Sequence, residues 1–136
     1  MKIIIKLLAL SYLALFSSNS IANPDAKYQE CLSEKTNLTT AGMTNCTNKA
    51  TEDWDAELNR IYKELISKLT PKGKQSLQLA QRQWIKFRDK EHQFISDMYS
   101  RRKFQGTMYI PIRAKNILTV TKTRALELKG YLNAHK

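Results

Sequence analysis

Glycine and proline are scarce in this sequence, at four and three residues among 136. A sandwich or barrel of many short strands needs far more turn punctuation, so that architecture is excluded at the outset. Histidine is sparser still. His92 and His135 stand far apart, and no HExxH or comparable ligand spacing accompanies either of them. There is no GxSxG, no phosphate-cradling glycine loop and no GxGxxG, so the common signatures of nucleophilic, nucleotide-dependent and zinc chemistry are missing. Beyond the N-terminus no apolar run approaches the roughly 20 residues that cross a bilayer. Acidic residues are also the minority, 12 against 23 Lys and Arg.

What is present begins at the N-terminus. Met1-Lys2 and Lys6 lead into an apolar stretch from Leu7 to Phe16, and Ser20-Ile21-Ala22 sets small residues where a signal peptidase cuts. The pattern predicts a cleaved signal peptide over residues 1–22 and one exported domain over residues 23–136, periplasmic or secreted. No cysteine stands directly after the cut, which argues against a lipid anchor. Without Lys2 and Lys6 the exported part keeps 21 cationic residues against 12 acidic ones, a net charge of +9. That balance favours anionic partners such as cell-wall or outer-leaflet polymer, or an acidic protein cleft. Nucleic acid is not expected, because the chain is exported and its basic residues are spread along it rather than clustered with aromatics.

Cys31 and Cys46 are the two cysteines. Export carries them to a compartment where thiols oxidise, so they are expected to pair. A loop of that length stabilises a small fold by roughly 3 kcal/mol. The alternatives, a reactive thiolate or a metal pair, need an activating histidine or further ligands close by in space.

Hydrophobic spacing is helical almost throughout. A short first helix is expected from about Ala26 to Lys35, followed by a polar link, Thr36 to Thr39. Thr39 or Thr40 can cap a long second helix, where Met43, Cys46, Ala50, Trp54, Leu58, Ile61, Tyr62, Leu65 and Leu69 recur every three or four residues. Thr70-Pro71 closes it and starts a third, since threonine suits the cap and proline the first turn. Helix three carries Leu77, Ala80, Trp84, Phe87, Phe94 and Met98 as its apolar face, with Lys86, Arg88, Asp89, Lys90 and Glu91 outside. A loop near Arg101–Thr107 turns at Gly106, and a fourth helix spans about Pro111 to Leu132, with Gly130 fraying its end. Three long helices and one short N-terminal helix predict an all-α, up-and-down bundle with one disulfide.

Asp53, Asp55 and Glu57 crowd one stretch of helix two, but paired acids for hydrolysis must face each other across a cleft. Residues two apart on a helix diverge, so a solvated face with local pairing, Glu57 to Arg60, is expected instead. Neither an enzyme nor a cofactor or metal site is expected.

Several runs together resemble a known family. Tyr28-Gln29-Glu30-Cys31, then Thr39-Thr40-Ala41-Gly42-Met43-Thr44-Asn45-Cys46, then Asp55-Ala56-Glu57-Leu58-Asn59-Arg60-Ile61-Tyr62 look like the opening of the LprI lysozyme-inhibitor family. Ala80-Gln81-Arg82-Gln83-Trp84-Ile85-Lys86-Phe87-Arg88-Asp89 looks like its second signature, and Gly106-Thr107 with Thr121, Arg124 and Leu128 fits its closing helix. The resemblance implies a protein partner, with lysozyme the most concrete one, bound without catalysis. It also implies a departure, because relatives commonly carry two further cysteines where this chain has His92 and Asn116. Their joint absence implies that those two pair with each other in relatives, leaving Cys31 with Cys46 and a last helix held by packing alone. Animal lysozymes are generally cationic, so a +9 partner has to act by short-range fit. Arg101, Arg102, Lys103 and Phe104, beside Gly106, form the one segment suited to entering a cleft with two carboxylates. Their bland role is to close helix three, where cations suit the dipole.

Overall fold

The computed structural model describes residues 23–100 and 106–135. In chain order they form α1 (Pro24–Ser33), a 3-10 turn (Lys35–Asn37), α2 (Thr40–Lys68), α3 (Pro71–Met98) and α4 (Tyr109–Asn133). The class is all-α, with one short and three long helices, as expected.

Each of the first three helices has a local cause for its start. Asn23 caps α1 by accepting the Asp25 N–H at 3.1 Å, with Pro24 in the first turn. This cap and proline begin the helix two residues before the expected Ala26. Thr39 accepts the Gly42 N–H at 3.0 Å to cap α2, and Thr70 accepts the Gly73 N–H at 3.2 Å ahead of Pro71 to cap α3. Such caps contribute about 1 kcal/mol each. Gly42 also has a steric reason, since a Cβ there would lie 2.5 Å from Asn37 Cα. Cys31 and Cys46 are joined across this same junction, with Cα atoms 5.7 Å apart, so α1 is stapled to the start of α2. Gly106, at φ 115°, supplies the left-handed turn before α4. α4 continues through Gly130 to Asn133 rather than fraying there.

The core is the seam between α2 and α4. Ala50, Trp54, Leu58, Ile61 and Leu65 pack against Leu118, Ala125, Leu128 and Leu132, all buried. Burying a leucine or isoleucine contributes about 1.5–3 kcal/mol, so this seam accounts for much of the fold. α1 closes one end with polar contacts. Asp25 accepts a hydrogen bond from Trp54 Nε1 at 3.1 Å and from Lys122 Nζ at 2.7 Å, and the Lys122 ammonium lies 5.4 Å from the Trp54 ring centroid. One carboxylate thereby ties α1 to α2 and α4.

α3 differs from expectation. Its apolar face was expected to include Ala80, Phe87, Phe94 and Met98, yet all four are exposed; only Gln81 and Ile95 are buried on the whole helix, with Leu77, Trp84, Arg88, Glu91 and His92 half-buried. The covered face is therefore rotated toward Gln81, Arg88 and His92. The reason is chemical, because polar groups on that side find partners. Arg124 of α4 donates to Gln81 at 3.1 Å, and the guanidinium groups of Arg88 and Arg124 lie 5.5 and 6.0 Å from the Trp84 ring centroid. α4, expected to be held by packing alone, packs along α2 as half of the core.

Candidate functional site

Because α3 leans on α4 and touches α2 little, the three helices leave a groove of about 530 Å³ between them. α2 supplies Asn48, Thr51, Glu52, Asp55 and Ala56; α3 supplies Arg88, Asp89 and His92; α4 supplies Ile117 and Thr121. Three carboxylates and one guanidinium make the lining acidic within a cationic protein.

The acids on α2 divide as helical geometry requires. Glu57 takes two hydrogen bonds from Arg60, at 2.7 and 2.8 Å, and these hold its carboxyl below the usual range. Asp53 receives Lys49 at 3.0 Å. Both therefore belong to the solvated, locally paired face. Asp55, between them in sequence, lines the groove and lies 4.0 Å from Arg88 across it, while Arg88 pairs with Asp89 at 2.8 Å. Glu52 reaches Lys49 only at 3.5 Å, and Lys49 is an exposed partner. Sequence spacing identified the acidic run but not that Glu52 and Asp55 meet Asp89 from 34 or more residues away.

His92 forms the inner wall. Its Nε2 is buried and without a hydrogen-bond partner among the described residues. Burial, then the Arg88 cation, push its pKa below the usual 6.5, outweighing Asp89 and hydrogen bonding to the Ile117 backbone. The ring is thus neutral near pH 7. Its contact with the Ile117 backbone joins α3 to α4 at this end of the groove.

Among the described residues no group of three His, Cys, Asp or Glu is placed to hold a metal ion, and none of their helices is long and apolar enough to cross a membrane. Cys31 and Cys46 are consumed by their bond. Arg101, Arg102, Lys103 and Phe104 lie outside the described residues. What the groove offers chemically is a concave, carboxylate-lined receptor for cationic side chains.

Comparison with known proteins agrees with this fold. The sequence model of the lysozyme inhibitor LprI family matches residues 31–128. A crystal structure of an uncharacterised protein from Burkholderia thailandensis superposes with a TM-score of 0.76 at 28% identity, covering 82% of this chain and 54% of that one. This chain thus spans about half the length of that protein. No curated protein matches it.

Proposed function

We propose that this chain, which belongs to the lysozyme inhibitor LprI family, is an exported, periplasmic or secreted protein that acts by binding, and that its partner is a lysozyme held through the α2/α3/α4 groove. The observation that carries this reading is the groove's lining. A net charge of +9 on the exported chain opposes approach of another cationic protein. Glu52 and Asp55 give that partner's lysines and arginines an acidic surface at short range, while Asp89 holds Arg88. Screening removes the long-range repulsion first, since the Debye length is about 8 Å at physiological ionic strength.

The test is a cell-wall lysis assay with several lysozyme types, titrated with protein from Asn23 onward at low and near-physiological salt. Saturable inhibition that holds or improves with salt supports docking against a like-charged partner. Inhibition abolished by salt, or none, removes the lysozyme reading and directs attention to anionic cell-wall or outer-leaflet polymer. Two variants separate the contact surfaces. Glu52→Gln with Asp55→Asn weakens inhibition if the groove is the contact. Alanine at Arg101, Arg102 and Lys103 weakens it if those residues enter the enzyme's carboxylate cleft.

A further inference from the structure

The exposed side of α3 carries two parallel stripes. Ala80, Phe87, Phe94 and Met98 form one, at helical spacing, with Phe87 55% and Phe94 57% exposed. Lys72, Leu79, Lys86 and Lys90 form the next, one step around the helix, and Arg82 lies beyond them. All these residues are exposed, and none of the four cations has an ion pair among the described residues. Of the acids nearby, Asp89 is held by Arg88 at 2.8 Å, Asp97 by the Gln93 amide at 3.0 Å and Glu127 by Arg124 at 3.1 Å, while Glu91 is half-buried. Beside Phe87 a shallow cleft of about 280 Å³, with Trp84 of α3 and Val120 of α4 among its lining, adds apolar area, and Glu91, Arg124 and Glu127 also border it.

We propose that this outer face of α3 docks the protein on an anionic lipid surface, with Phe87, Phe94 and Met98 entering the headgroup–acyl boundary and Lys72, Lys86 and Lys90 facing the lipid phosphates. Charge complementarity selects the occupant. A second copy meeting this face through its own would set unpaired lysines against unpaired lysines, and a cationic protein meets the same repulsion. A soluble anionic polymer satisfies the cations but offers no apolar phase for two half-exposed phenylalanines. An anionic bilayer surface supplies both, in the manner of interfacial amphipathic helices. The face lies outside the groove lining, so this inference stands independently of the lysozyme reading and leaves the groove open.

Flotation with phosphatidylglycerol-containing vesicles, against phosphatidylcholine vesicles, tests it on disulfide-intact protein from Asn23 onward, which holds every helix described. Binding is expected to the anionic vesicles alone. Lys86→Gln with Lys90→Gln should weaken it about 25-fold, some fivefold per lysine. Phe87→Ser with Phe94→Ser should weaken it at least tenfold with charge unchanged, while Lys63→Gln, an exposed change on α2, should have no effect. Circular dichroism checks that each variant keeps its helices. Absence of vesicle binding, or a dimer that covers Phe87 and Phe94, overturns the proposal. So does binding that the phenylalanine changes leave intact and that polyglutamate matches as a competitor, because charge alone would then explain it.

Discussion

The seam between α2 and α4 and the seat of α3 are built from different materials. In the first, leucine, isoleucine, alanine and tryptophan close on one another until Ile61, Ala125 and Leu128 have no exposure at all. In the second, a 28-residue helix is held by half-buried Leu77 and Trp84, a tryptophan flanked by two arginines, a glutamine taking one guanidinium bond, and Ile95. Apolar burial is non-directional and additive over area, so the seam sets global stability. Contacts between half-exposed polar and aromatic groups contribute about 0.5–1 kcal/mol apiece, so α3 has less to lose by moving. The proposed outer face and one wall of the groove lie on this weaker element, as binding surfaces are drawn from the low-stability end of a fold.

Mutation can sharpen that contrast. Leu58→Ala, in the seam, should cost about 2–5 kcal/mol in denaturant unfolding. Trp84→Leu, removing the aromatic plate beneath Arg88 and Arg124, should cost about 1–2 kcal/mol. Its main effect should be faster hydrogen exchange confined to α3. An equal, molecule-wide loss of protection would mean that α3 is as integral as the seam.

Acidification probes the same boundary through His92. Its folded pKa lies below 6.5, so the unfolded chain takes up a proton first as pH falls. Stability is therefore unaffected by this group above that value and declines as pH drops from 6.5 toward the folded pKa. Urea midpoints at pH 7.5 and 5.5 should show this decline in the native protein and a smaller one in His92→Gln. Identical declines would remove His92 from the account. The smallest effect belongs to Phe94→Ala, which should shift stability by no more than about 0.5 kcal/mol despite its aromatic bulk, because the ring is already in solvent.

That last case explains where the sequence was legible. Thr39, Thr70 and Pro71 announce helix starts because capping is local chemistry, and the stripe from Ala50 to Leu65 announces a buried face because its partner in α4 has matching length and period. Phe87, Phe94 and Met98 have the same period, yet periodicity reports only that a face is apolar and not that anything covers it. Gln81 reversed the outcome by taking Arg124 of α4, and Arg88 by facing Asp55 of α2, contacts invisible in a hydropathy pattern. Asn23-Pro24 was legible in principle as a cap and first-turn proline, and gave α1 its earlier start. The groove was not legible, since Asp55, Asp89 and Thr121 are neighbours only once three helices are packed.

Hydrogen exchange followed residue by residue on the disulfide-intact protein tests the division most directly. The account predicts that amides in the buried stretches of α2 and α4, around Ala50–Leu65 and Leu118–Leu132, exchange only through global unfolding. Those of α3, from Leu77 to Ile95, should exchange through a local opening that costs less. If α3 amides are as protected as those at Ile61 and Leu128, the helix is part of one cooperative core and the contrast drawn between the two regions is wrong.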